Sequence, residues 1–159
     1  MSTVGIIANP AAGKDIRRLV AHGRFIPDQE KVNTIKRIIA GIKSVDVDSI
    51  LAMPDSAMLV NRAIDSSDSK IPVNFLDIMV RGDEQDTSHA AQLMREADVG
   101  SVITLGGDGT NRAVAKTIGK IPLIPISTGT NNVFPYMIEG TVAGLAAGVI
   151  AKKLINVPK

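Results

Sequence analysis

The stretch Val102-Ile103-Thr104-Leu105-Gly106-Gly107-Asp108-Gly109-Thr110 constrains the chain more than any other. A β-branched apolar run stops at two glycines. A carboxylate follows, then a third glycine and a hydroxyl, and from Arg112 onward apolar residues return at helical spacing. This succession predicts a buried strand, a tight turn and a helix. Glycines in such a turn accept backbone angles that a side chain forbids. They also let a ligand approach the N–H groups at the helix start, where the dipole favours phosphate. Asp108 stands out: a carboxylate there repels a phosphate unless it holds a metal ion or takes a proton from a nucleophile. Plain helix capping is the other role open to it from this stretch.

The rest of the chain repeats the same alternation. Residues 3–8 read as a first buried strand. Asn9-Pro10-Ala11-Ala12-Gly13-Lys14 is its turn, with a helix starting over 15–20. The turn is not a P-loop, which needs glycine where Ala8 stands and Ser or Thr where Asp15 stands. It is either a simple Asn-Pro turn or a second ligand turn, in which Asn9 orients a phosphate or ribose and Lys14 adds charge. Residues 21–29 predict an exposed connection. Val32, Ile35, Ile38, Ile39 and Ile42 form a helical stripe, residues 45–52 a strand, and Pro54-Asp55 open a helix bearing Ala57, Val60 and Ile64. Residues 71–80 predict a third strand, and residues 82–87 lead into a helix with Ala90, Leu93, Met94 and Ala97. The strand over 99–105 follows, and residues 121–126 make a fifth. A last helix starts near Gly140, with Val142, Leu145, Ala146, Val149 and Ile150 as its expected core face.

Apolar strands alternating with amphipathic helices predict an α/β fold: a doubly wound, mostly parallel sheet of about five strands with helices on both faces. Ligands of such sheets bind beyond the carboxyl ends of the strands, where the strand order switches. Three turns belong there: residues 9–14, 106–110 and 127–135.

A chain of 159 residues fits one domain. With a net charge of +2 and no basic run, nucleic acid is not an expected partner. Cysteine is absent, which excludes disulfides and thiolate metal sites. The start of the chain lacks a signal-peptide layout and no apolar run is long enough to span a membrane, so a cytoplasmic protein without membrane attachment is expected. A homo-oligomer is left open.

The third turn, Ser127-Thr128-Gly129-Thr130-Asn131-Asn132-Val133-Phe134-Pro135, is dense in hydroxyl and amide groups. Directly after a buried strand, these groups can bond sugar hydroxyls or phosphate; they are also the commonest loop formers. Together, Asn9-Pro10-Ala11-Ala12-Gly13, Gly106-Gly107-Asp108-Gly109-Thr110 and Thr128-Gly129-Thr130-Asn131-Asn132 resemble the superfamily of NAD kinases, diacylglycerol-type lipid kinases and 6-phosphofructokinases. The chain most resembles the ATP-NAD kinase group that includes AcoX-type proteins of acetoin catabolism, and the resemblance covers nearly its whole length.

The resemblance implies roles. Gly106, Gly107, Gly109 and Thr110 would lie against nucleotide phosphates, with Asp108 as base or metal contact. Asn9 and Gly13 would line the nucleotide site, joined by Thr128, Gly129, Thr130 and Asn132 of the third turn. ATP and Mg²⁺ would be the cofactors, NAD the substrate whose ribose hydroxyl is phosphorylated, and no side-chain metal cluster is singled out. Two alternatives stand beside this: a non-catalytic nucleotide sensor, and a lipid kinase. The lipid-kinase pattern has an Asn-Glu pair where Asn111-Arg112 stands, a glycine at Asn131 and an aspartate at Val133. The third-turn pattern of NAD kinases is not matched either. Kinases of this kind carry a C-terminal β-sandwich domain, so residues 1–159 are expected to be the nucleotide-binding N-terminal half.

Overall fold

A computed structural model of the protein describes residues 1–14, 25–66, 70–128 and 132–157. The helix expected over 15–20 lies outside them. The elements run β1 (Thr3–Ala8), α1 (Asp28–Lys43), β2 (Ser49–Ala52), α2 (Leu59–Asp65), β3 (Val73–Phe75), α3 (Glu84–Glu96), β4 (Ser101–Gly106), α4 (Asp108–Ala115), β5 (Leu123–Ser127) and α5 (Gly140–Ala151). The five strands form one sheet in the order β3-β2-β1-β4-β5, every pair parallel. Among the described residues no helix is long and apolar enough to cross a membrane.

Each face of the sheet has its own core. Val4, Ile6 and Ala8 of β1 point to one side, where Ile50, Ile103 and Leu105 meet the α1 stripe together with Leu59 and Val60 of α2 and Ala143 and Ala147 of α5. Ile7 and Val102 point to the other, against Ala90 and Met94 of α3 and Val114 of α4. This period of two within the strands, met by helices on both sides, is the doubly wound arrangement.

Several boundaries differ from the sequence expectation. The strand read over 45–52 begins only at Ser49: Asp46 has a φ of 54° and the Val45 N–H still bonds the Ile42 carbonyl, so the chain is leaving α1 there. The helix expected from Pro54 starts at Leu59, because the Asp55 carboxylate takes the Ala57 and Leu59 N–H groups and holds a turn ahead of it. The strand read over 71–80 shortens to Val73–Phe75, since its partner β2 ends at Ala52 opposite Phe75. In the connection read as exposed, Ile26 is buried and α1 already starts at Asp28.

The largest correction concerns α5. Val142 and Leu145, expected in the core, are 58% and 37% exposed, while Gly140, Ala143, Gly144, Ala147, Gly148 and Ala151 are buried. Glycines at 140, 144 and 148 recur every helical turn and let the α5 backbone lie directly on α1. A methyl added at Gly144 would sit 2.1 Å from the Ile38 carbonyl oxygen, and one at Gly41 would sit 2.3 Å from that of Thr141. Close backbone packing wins over burial of the larger side chains because their stripe faces away from the sheet.

Candidate functional site

The sheet order reverses between β1 and β4: β2 and β3 are added on one side of β1, β4 and β5 on the other. A crevice at the carboxyl ends of these two strands follows from that topology. Register brings the turns side by side, since Ala8 lies opposite Leu105 and Gly106 opposite Ser127. The Asn9 N–H bonds the Leu105 carbonyl at 2.9 Å, and the Thr128 N–H bonds that of Gly106 at 3.1 Å.

Asn9 spans the crevice. Its Oδ1 accepts the Ala11 N–H at 2.9 Å, and its Nδ2 donates to Thr110 Oγ1 at 2.9 Å. Gly13 has a φ of +78°, and a methyl there would meet the Thr128 carbonyl oxygen at 2.4 Å. Only glycine satisfies both the left-handed backbone and that approach, so the first and third turns are packed together through it. The Lys14 ammonium, a candidate for phosphate charge, is held by Asp28 at 2.8 Å.

The turn after β4 is fixed from below. Thr104 Oγ1 donates to Asn111 Oδ1 at 2.7 Å inside the core, and Asn111 Nδ2 donates to the Gly107 carbonyl at 2.9 Å. Gly107 stands at the cap position of α4 and has no side chain to cap with. Asn132 supplies the bond instead: its Oδ1 accepts the Asp108 N–H at 3.3 Å, while its Nδ2 donates to Ser127 Oγ at 2.8 Å. A methyl at Gly107 would come within 2.8 Å of that Oδ1, so the glycine makes room for the Asn132 amide.

Asp108 is the first residue of α4 and does not cap it. Its carboxylate turns to the third loop, where Oδ1 accepts the Phe134 N–H at 2.9 Å and both oxygens accept the Val133 N–H at 3.1 Å. These main-chain bonds, Phe134 first and then Val133, hold its carboxyl below the usual carboxylate value, with Arg112 adding charge. Asn132 thus accepts from the Asp108 N–H while the Asp108 carboxylate accepts from Val133 and Phe134, and these bonds latch the third loop across the helix start. Gly106 is buried against Thr110, where a methyl would be 2.5 Å from the threonine side chain.

Gly109 is exposed, with open space where a side chain would be. Its N–H and that of Thr110 belong to the first turn of α4, whose donors have no intrahelical acceptor. The positive end of the helix is therefore open at that glycine. Among the described residues no group of three His, Asp or Glu could hold a metal ion by itself.

Asn9, Gly13, Gly106, Gly107, Asp108, Gly109, Thr110, Thr128 and Asn132 thus converge on one crevice; Gly129 and Thr130 lie outside the described residues. Sequence reading missed the supporting roles of Thr104 and Asn111 beneath the turn, and it missed Lys31, whose buried ammonium donates to the Pro10 carbonyl of the first turn at 2.7 Å. Lys31 was detectable: it falls on the apolar stripe, four residues before Ile35 and seven before Ile38.

Residues 4–154 match the family model described as the ATP-NAD kinase N-terminal domain. The chain is also similar to "Acetoin catabolism protein X" of Cupriavidus necator (strain ATCC 17699 / DSM 428 / KCTC 22496 / NCIMB 10442 / H16 / Stanier 337). The two are 42% identical over 155 residues, which cover 93% of this chain and 43% of that protein. The chain thus spans less than half the length of that relative. No solved structure matches it significantly. The chain belongs to the ATP-NAD kinase family, and its match is to the N-terminal domain of that family.

Proposed function

We propose that this domain binds ATP in the crevice between β1 and β4 and serves transfer of the γ-phosphoryl group to a hydroxyl, with the ribose hydroxyl of NAD as acceptor. The acceptor oxygen bonds to the γ-phosphorus, the bond from phosphorus to the β–γ bridging oxygen breaks, ADP leaves, and the hydroxyl proton passes to a carboxylate or to water. In this chemistry positioning and electrostatics carry most of the rate.

The observation that carries the reading is the open first turn of α4 at Gly109, placed at the switch in strand order. Unpaired main-chain N–H groups and a helix dipole suit a phosphate without a basic side chain. Mg²⁺, entering with the phosphates, would supply neutralising charge, and Asp108 would be its carboxylate contact. The kinship with the Cupriavidus necator protein extends the proposal to a role in acetoin catabolism. A non-catalytic nucleotide sensor is the second reading. It is favoured by one observation: the Asp108 carboxylate is already engaged by the Val133 and Phe134 N–H groups.

Calorimetric titration with Mg·ATP tests the site through Gly109→Ala. The new methyl meets nothing in the fold, so stability should rise by about 0.5–1 kcal/mol from the better helix former. It projects into the space assigned to phosphate, so affinity should fall by at least about tenfold, the equivalent of one lost charge-assisted hydrogen bond. Unchanged affinity would remove the α4 N-terminus from the site.

A further inference from the structure

We propose that Lys31 is a positioning residue of the nucleotide site: buried beneath the first turn, its ammonium draws the Pro10 carbonyl inward and thereby sets Asn9 across the crevice. The inference rests on the reading of that crevice as the nucleotide site.

Lys31 is 1% exposed, the only charged side chain among the largest fully buried ones of the described residues. Its Nζ donates to the Pro10 carbonyl at 2.7 Å and reaches the Asn9 carbonyl at 3.5 Å and the Asp28 carboxylate at 3.7 Å. A trans peptide points its C=O and N–H in opposite directions, and no described peptide is cis. Pulling the Pro10 carbonyl toward Lys31 therefore turns the Ala11 N–H outward, onto Asn9 Oδ1. That bond orients the Asn9 amide, whose Nδ2 then meets Thr110 in the first turn of α4. The path from buried ammonium to helix start is four groups long, each within hydrogen-bond distance of the next.

The charge is costly where it sits. Burial, the largest influence, lowers the Lys31 pKa from 10.5 to about 8, against the opposing pull of Asp28. The charged groups acting on it are Asp28 on α1, Lys14 on the first turn and Asp55 ahead of α2, and Arg62 of α2 acts in turn on Asp28. For Asp28, burial pushes upward but the Lys14 bond and charge prevail and hold it low; burial raises Asp55. Between about 8 and 10.5 the folded chain has released the Lys31 proton and the unfolded chain has not, so global stability rises with pH across that window. Below it the ammonium carries a desolvation cost that its partners do not offset, and a methionine there removes that cost while leaving Asp28 its closer partner, Lys14, at 2.8 Å. A lysine kept there for folding alone makes the opposite prediction.

Lys31→Met separates the two. At about pH 7 the variant should melt no lower than the parent, while Mg·ATP affinity falls at least about tenfold, as expected for losing a charged hydrogen bond that organises the turn. The parent's affinity should decline as pH rises through about 8, and the variant's should not. In the ligand-free chain, the Ala12 and Lys14 amides, bonded to the Asn9 and Ala11 carbonyls, should exchange with solvent at least about tenfold faster in the variant. If the parent binds no nucleotide, the functional reading fails, and the exchange rates alone still decide Lys31. Equal exchange at those amides, or a lower melting temperature with unchanged affinity, overturns the proposal.

Discussion

Gly144→Ala should destabilise the domain by roughly 3 kcal/mol, at the upper end of what one added methyl costs in a packed core. The expected fall in melting temperature is about 6–12 °C for a chain of this size. The methyl has nowhere to go. Its nearest neighbours are backbone, the Ile38 carbonyl oxygen at 2.1 Å, the Ile38 carbonyl carbon at 2.9 Å and the Ile42 nitrogen at 3.0 Å. Backbone within a helix cannot yield as a side-chain tip can, so α1 and α5 must separate along their length. Alanine's better helix propensity, about 1 kcal/mol, offsets only part of this. Val142→Ala on the outward face is the control, and it should change stability by no more than about 0.5 kcal/mol. Thermal unfolding of both variants decides the matter. A neutral Gly144→Ala beside a damaging Val142→Ala would mean that α5 is rotated and that its larger side chains face the core.

On the proposed kinase reading, Asp108→Asn should lower the phosphoryl transfer this domain serves at least about a hundredfold. The substitution keeps the size of the side chain and one accepting oxygen while removing its charge and most of its basicity. Geometry distinguishes two ways of losing activity. Oδ1 alone accepts both the Phe134 and Val133 N–H groups, so an asparagine in the same rotamer can keep the loop in place. If transfer is lost while the Val133 and Phe134 amides stay protected from exchange, the charge itself matters to the reaction. If those amides open as well, Asp108 acts by holding the third loop. Nucleotide binding without Mg²⁺ should hold or tighten, because a charge that repels phosphate has gone. A variant with full transfer activity would remove Asp108 from the reaction. Acid offers an independent check on the latch. The bonds from Phe134 and Val133 hold the Asp108 carboxyl low, so the latch is present above the ordinary aspartate value and lost as pH falls through the depressed one.

The α/β class, the succession of elements and the three crevice turns were legible in the sequence, because all of them depend on local order. Apolar runs such as residues 102–105 and stripes such as Ile35, Ile38, Ile39 and Ile42 report burial directly through their periods, and glycines mark where backbone must turn. What runs across the sheet was not legible. The order β3-β2-β1-β4-β5, which lays Asn9 beside Thr110, is a fact of pairing between strands distant in the chain. Lengths were misread at β2 and β3 because a strand extends only as far as its partner. The buried face of α5 was misread because an apolar stripe and a glycine stripe share one helix, and the sequence cannot say which meets a neighbouring backbone. Asp108 shows the same division. Its place after two glycines marked it as exceptional. Only tertiary structure joined its carboxylate to the Val133 and Phe134 N–H groups, and gave the capping of α4 to Asn132, 24 residues further along. Hydrogen-bond partners so far apart leave no periodic trace in the chain, and only the folded geometry brings them within reach.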